Sequence, residues 1–270
     1  MIDQPPTVAP GDGTPDAPLL AVSHLTVCFG GITALDDVSF EVGHGEICGL
    51  IGPNGAGKTT VFNCLGRLYD PSAGDILFDG RSLLALRPDQ VAGRGLARTF
   101  QNLALFERLS VMENVLAGGH VAGTHGALAE AFGTRAARAG EARLRDRARE
   151  WLELVGLGDR ADAPVAGLPF GSRKRVELAR ALMSEPRLLL LDEPAGGLAL
   201  EEVERLDVLI REVRDRLGIT ILLVEHRMGF VMAICDRLVV LDFGRVIAAG
   251  APAAVAEDAA VVDAYLGVRA

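Results

Sequence analysis

The sequence predicts an α/β fold in which a mostly parallel sheet is joined by an antiparallel β portion and a helical insert. Three observations carry this expectation. An apolar run, a glycine-rich loop and a helical pattern follow one another over Ile47 to Leu65. Four consecutive leucines, Leu188 to Leu191, open directly onto two carboxylates, and short alternating runs fill most of Leu19 to Val42. A strand made only of leucine has no polar face, so it belongs in a sheet covered on both sides, which is the habit of parallel sheets. Alternation with period two suits strands that have one covered face.

Taken in order, residues 1–18 (MIDQPPTVAPGDGTPDAP) are rich in proline, carry acidic residues and lack a basic-then-apolar leader pattern, so they read as a disordered extension. The runs "LLAVSHLTVCF", "ITALDDVSFEV" and "EICGLIG" read as strands broken by Gly30, Gly31, Gly43 and Gly45. Past Lys58, the residues Val61, Phe62, Leu65 and Leu68 recur at helical spacing ahead of Pro71, and "GDILFDG" is a further strand. From about Leu103 to Pro164 the chain is rich in alanine, leucine, glutamate and arginine and reads as helical. Its arginines, Arg135, Arg138, Arg143, Arg145, Arg147 and Arg149, alternate with Glu141, Asp146 and Glu150, the pattern of a solvated helix face and not of an anion-binding surface. In "LPFGSRKRVELARALM", Val176, Leu178, Ala179, Leu182 and Met183 form an apolar stripe, Ser172 is the expected N-cap and Pro186 the stop. Of the basic residues after Gly171, at least two of Arg173, Lys174 and Arg175 are expected to face solvent. Strands resume with "RLLLLD", "ITILLVE" and "RLVVLDFGRVIAAG", the last a hairpin around Phe243 and Gly244.

Composition narrows the class. With 270 residues, 49% of them hydrophobic, the chain buries a core the size of one domain with an attached subdomain. A net charge of -9 argues against a surface devoted to nucleic acid. Cys28, Cys48, Cys64 and Cys235 are widely spaced and suggest neither zinc nor a disulfide framework, so reduced cytosolic thiols are expected. No apolar stretch approaches the roughly 18 residues of a membrane span, so action at a membrane requires another chain to cross it.

The chemistry concentrates in two places. "GPNGAGKTT", comprising Gly52, Pro53, Asn54, Gly55, Ala56, Gly57, Lys58, Thr59 and Thr60, matches GxxxxGK[ST] in the strand-loop-helix context that motif requires. Its glycines let backbone N–H groups curl around phosphate oxygens, Lys58 reaches the outer phosphates and the Thr59 hydroxyl can ligate Mg2+. In "LLLLDEP", Asp192 emerges from a buried strand where a carboxylate can hold the magnesium shell, and Glu193 is placed to orient or deprotonate an attacking water.

These two elements are common to many nucleotide-hydrolysing proteins, and the remaining motifs narrow the field. "LPFG" followed by a helix resembles the signature motif of ATP-binding cassette (ABC) proteins, and "TFQN", "EPAGGL" and "LLVEHRM" follow the family's order. "FGGITALDDVSFEV" and "GLARTFQNLALFERLSVMENVLAG" resemble, more narrowly, the ATP-binding subunits of branched-chain amino acid importers, a group that also energises uptake of urea and short amides. The resemblance runs from about Leu20 to Gly267. It implies a P-loop NTPase (ABC ATPase) fold with a RecA-like core, an antiparallel β subdomain and a helical subdomain at about 103–185, within a domain of 19–267 followed by a 268–270 tail.

The resemblance also implies roles. Phe29 stacks on adenine, Gln101 senses Mg2+ and links to the membrane subunit, His226 contacts the γ-phosphate, and Gly171 and Ser172 belong to a half-site lent to a second cassette's ATP. Without it, Phe29 reads equally as a core aromatic, Gln101 as a surface amide and His226 as a strand-end histidine. The implied partners are integral membrane permease subunits, a second cassette, identical or related, and indirectly a solute-binding protein, at the cytoplasmic face of the membrane, with no nucleic acid. A non-transport cassette acting on nucleic acid or ribosomes, or an exporter cassette, is the alternative. Pro169 stands where the usual signature has serine, Ser172 where it has glutamine, and Ala199 where many members have an acid or amide. These departures bear on how strongly this chain supports hydrolysis in the opposing site.

Overall fold

The computed structural model describes residues 17–100, 103–121 and 135–266. Most of the extension expected at 1–18, and the 268–270 tail, lie outside them. The first four-stranded sheet is antiparallel in the order β2-β1-β4-β5, from β1 (Leu20–Phe29), β2 (Ile32–Val42), β4 (Ala73–Phe78) and β5 (Arg81–Ser82). Alternation, interrupted by one three-residue step in each strand where the register shifts, decides its faces: Leu20, Val22, Leu25 and Val27 of β1 are buried, as are Leu35, Val38, Phe40 and Val42 of β2. Gly30 and Gly31, with φ of 52° and 90°, make the two-residue turn between them. Two successive positive φ values define the turn whose twist matches a hairpin.

The second sheet has the order β10-β9-β3-β8-β7-β6. Five strands are mutually parallel: β3 (Ile47–Ile51), β6 (Leu96–Arg98), β7 (Leu188–Asp192), β8 (Thr220–Val224) and β9 (Arg237–Asp242). The last, β10 (Arg245–Gly250), closes the edge as the antiparallel arm of the expected hairpin. Every residue of β3, β7 and β8 is buried, and successive residues serve opposite cores. Ile47, Ile51, Leu189, Leu191, Ile221 and Leu223 face one cluster, whereas Cys48, Leu50, Leu188, Leu190, Leu222 and Val224 face the other. Each such aliphatic side chain contributes about 2 kcal/mol on burial, so the unbroken leucine run is what a two-sided sheet requires.

Helix α1 (Lys58–Leu65) packs in the core shared with the antiparallel sheet. It ends earlier than the expected spacing: Leu68 is 56% exposed. The Asn63 carbonyl accepts from Leu68 N, and Arg67 takes φ of 58°, so the chain turns outward before Leu68 reaches the apolar stripe. After a short α2 (Pro88–Val91), the other core takes α3 (Val111–Ala117), α4 (Arg135–Leu154) and α5 (Phe170–Leu182). In α3 the Ser110 hydroxyl accepts from Glu113 N while the Glu113 carboxylate accepts from Ser110 N, a capping box that holds the Glu113 pKa below its usual value. The exposed face of α4 carries Arg145–Glu141 and Arg149–Asp146 pairs at 3.1 and 2.7 Å, the solvated pattern its sequence suggests. The side chains of Arg135 and Arg138 lie outside the description. The stripe Val176, Leu178, Ala179, Leu182 and Met183 is buried as read.

Among the features that escaped the sequence reading are the short strands β5 and β6 and the amphipathic helix α6 (Leu200–Leu217), which buries Val203, Leu206, Leu209, Ile210 and Val213. α7 (Met228–Ile234), α8 (Pro252–Ala256) and α9 (Ala259–Leu266) complete the chain. Among the described residues, no helix is long and apolar enough to cross a membrane.

Candidate active site

The parallel strands bring four distant segments to one edge. Residues leaving β3, β8, β7 and β6 at their carboxyl ends are Gly52, Glu225, Glu193 and Thr99, in strand order. Register places Asp192 beside Val224 and Val224 beside Leu50. With neighbouring strands about 4.8 Å apart, the ends of β3 and β7 stand about 10 Å from each other, a gap side chains and a polyphosphate can span.

The loop from Gly52 to Gly57 needs its glycines. Gly52 has φ of 147°, and a Cβ there would lie 2.0 Å from the Leu241 carbonyl oxygen. Gly57 has φ of 103°, and its Cβ would lie 2.6 Å from Leu35 Cδ2 and 2.9 Å from Ala34 O. Gly57 leads directly into α1, whose first turn carries no acidic residue, so the positive end of the helix dipole is uncompensated. Lys58 is buried and its Nζ donates to the carbonyls of Gly52 and Pro53 at 2.7 and 2.8 Å. Burial pushes its pKa below the usual lysine value, and Glu193 opposes that shift. Asn54, Gly55 and Thr59 are exposed, with Pro53, Gly57 and Thr60 half-buried and Ala56 buried.

At the end of β7, the Asp192 carboxylate accepts from Arg98 Nη2 at 2.7 Å. Arg98 also donates to Asn63 Oδ1 at 2.8 Å and lies over the rings of Phe62 and Phe100. Sequence reading missed Arg98; its signal was an arginine one residue after the apolar pair Leu96–Ala97. Glu193 adopts φ of 47°, its N–H donates to Val224 O at 2.9 Å, and its Oε1 is 3.9 Å from His226 Nδ1. A non-glycine residue in the left-handed region carries strain that its surroundings must hold in place. Glu225, also unread, is fully buried: Oε1 accepts from Ala195 N at 2.8 Å and Oε2 from His226 N and Arg227 N at 2.8 and 3.1 Å. It thereby fixes the chain on both sides of the Glu193–His226 pair, while the His226 side chain is 56% exposed.

The remaining candidates sit elsewhere. Phe29, at the end of β1, is 44% exposed and meets Tyr69 edge-on at 5.1 Å. Gln101 lies outside the described residues. Gly171 and Ser172 start α5, where two expectations need correction. The N-cap is Pro169, so Ser172 lies inside the first turn and its hydroxyl accepts from Arg175 Nη2 at 3.1 Å. None of Arg173, Lys174 and Arg175 is exposed: each donates to backbone carbonyls, of Leu168, Glu193 and Val155 respectively. Pro169 has no side-chain acceptor, so no side chain caps the N–H groups of this first turn, and Ser172 makes no capping hydrogen bond. Ser172→Ala is therefore expected to shift thermal stability by less than the ~1 kcal/mol of a true cap, as a melting curve will show.

A family model described as ABC transporter matches residues 35–196. The high-affinity branched-chain amino acid transport ATP-binding protein LivG of Salmonella typhimurium is 44% identical over 250 residues, covering 93% of this chain and 98% of LivG. The corresponding protein BraF of Pseudomonas aeruginosa is 42% identical over the same coverage. A crystal structure of a nucleotide-free ATP-binding cassette from an ABC transporter superposes with a TM-score of 0.80 at 30% identity, over 92% of this chain and 99% of the other. With the phosphate loop, the strand-end carboxylates and His226 gathered on one sheet edge, and relatives matched along nearly their whole length, the chain belongs to the ABC transporter family, whose ATP-binding cassettes are ATPases.

Proposed function

We propose that the chain is the ATP-hydrolysing subunit of an importer for branched-chain amino acids or a related small solute such as urea or a short amide. The observation that carries this is the match to LivG and BraF over 98% of their length, on a chain with a phosphate loop and strand-end carboxylates. The loop Gly52–Thr60 binds the phosphates, with Lys58 exchanging its two carbonyl partners for phosphate oxygens, and Phe29 presents a face for adenine. Thr59, Asp192 and Gln101 would hold Mg2+. The donors suit that ion: a threonine hydroxyl at the head of α1 and a carboxylate at the end of β7 offer oxygen atoms, and Mg2+ favours one or two protein oxygens completed by water and substrate phosphate. When bound, Mg2+ neutralises charge on the phosphates. Glu193 orients or deprotonates the attacking water, and His226, within 3.9 Å of the Glu193 carboxylate, contacts the γ-phosphate.

Gly171 and Ser172 complete a second cassette's site, so the working unit is a pair of cassettes docked on membrane permease subunits at the cytoplasmic face, fed by a solute-binding protein. The helices α3 to α5 form the helical subdomain of about 103–185, within a cassette of 19–267. The test is to isolate the complex from its native membrane, identify its subunits and measure which loaded binding protein stimulates ATP hydrolysis. Recovery of permease subunits with stimulation by leucine, isoleucine or valine is expected. Stimulation by urea or amides alone reassigns the solute, and recovery with ribosomes or DNA instead of permeases overturns the transport reading.

A further inference from the structure

The first turn of α5 and the segment from Glu193 to Glu202 are locked together along one face. Phe170 packs on Gly197, where a Cβ would lie 2.9 Å from Phe170 Cε1. A Cβ on Gly171 would lie 2.3 Å from Glu202 Oε1 and 3.3 Å from Leu198 Cδ2. One turn on, Lys174 Nζ donates to the Glu193 carbonyl at 2.7 Å and lies over the Phe170 ring at 5.5 Å. Residues three apart share a helix face, so Gly171 and Lys174 shift together. Arg227 extends the unit by donating to Leu198 O at 3.0 Å, next to His226.

Of the three basic residues after Gly171, Lys174 bonds to the segment bearing the candidate catalytic carboxylate, whereas Arg173 and Arg175 bond to Leu168 and Val155. Burial pushes the Lys174 pKa down, opposed by Glu225, Glu177, Glu193 and Asp192 in that order. A half-buried ammonium near carboxylates yet bonded to a main-chain carbonyl points to a positional role for that bond. The carbonyl it grips belongs to a residue at φ of 47°, a conformation that neighbours must impose.

We infer that Lys174 is a positioning residue: it holds the Glu193 peptide in its left-handed conformation and so conveys movement of the α5 N-terminus to the chain's own water-activating carboxylate. The inference rests on the role proposed for Glu193. Through it, a phosphate arriving at Gly171 from an opposing cassette adjusts hydrolysis in the site of this one, with no contact between the two nucleotides.

Lys174→Met removes the donor and keeps the stem; Lys174→Arg restores a cationic donor. In the full chain, Lys174→Met is expected to lower kcat about 100-fold, the scale of a misplaced catalytic group, with KM for ATP, nucleotide affinity and melting temperature unchanged. Lys174→Arg is expected to recover most of the loss. Normal kcat in Lys174→Met overturns the inference, as does a loss that tracks a fall in melting temperature or ATP affinity. Glu193→Gln, measured alongside, separates the two readings: if it retains turnover, the role of Glu193 fails and this one with it; if it is inactive while Lys174→Met is normal, only the Lys174 inference fails.

Discussion

Glu193→Gln is expected to cut ATP turnover by about 10²–10⁴-fold, the usual worth of a general base, while leaving nucleotide affinity near that of the unaltered chain. The substitution preserves volume and reaches none of the main-chain bonds that fix the residue. Glu193 N still donates to Val224 O, and its carbonyl still accepts from Lys174 Nζ and Gly196 N. Phosphate binding rests on a different segment, the loop between Gly52 and Thr60. Because hydrolysis is what separates paired cassettes in the proposed cycle, the variant should also accumulate as an ATP-bound dimer. Single-turnover hydrolysis, nucleotide titration and gel filtration with ATP measure the three effects. Turnover within tenfold of the unaltered chain would remove Glu193 from the chemistry.

Asp192→Ala is expected to do something different, namely to destabilise the fold as well as abolish activity. Asp192 and Arg98 are 6% and 10% exposed, paired at 2.7 Å. Deleting the carboxylate strands a guanidinium among Phe62, Phe100 and Asn63, and breaking such a buried pair costs about 3–5 kcal/mol. For a chain of this size that is a fall of roughly 10 °C in melting temperature. Asp192→Ala combined with Arg98→Met should recover much of the stability, because no charge is then left uncompensated, but none of the turnover. Chemical denaturation of the two single variants and the double variant gives the coupling; strictly additive losses would show that the pair is not the stabilising unit.

How much of this was legible beforehand depends on the range of the determinant. The phosphate loop and "LLLLDEP" are local: strand, turn and helix signals lie within a few residues of the chemistry, so position and role were readable together. The strands with alternating patterns or unbroken leucines were readable for the same reason. Arg98 was not, because its importance comes from β6 lying beside β7, a pairing across some ninety residues of chain. Glu225 was not read either: that its carboxylate turns inward to three N–H groups depends on the geometry of the β8 end. Ser172 was misread by a sound local rule, since serine near a helix start is usually a cap, but here Pro169 occupies that place and Arg175 engages the hydroxyl. Leu68 matched the helical period, yet the Asn63 carbonyl ends the helix before the period applies.

The order β3-β8-β7-β6 also has a bearing on how the chain reaches its active state. The site draws on residues near positions 52, 98, 192 and 225, so none of its chemistry exists until strands from the beginning, middle and end of the chain have paired in parallel register. Pairings of such long sequence separation are the slow part of folding. A ribosome must therefore release nearly the whole polypeptide before nucleotide has anything complete to bind, and nucleotide, binding only the finished sheet, acts as a thermodynamic seal on correct folding rather than as a template for it.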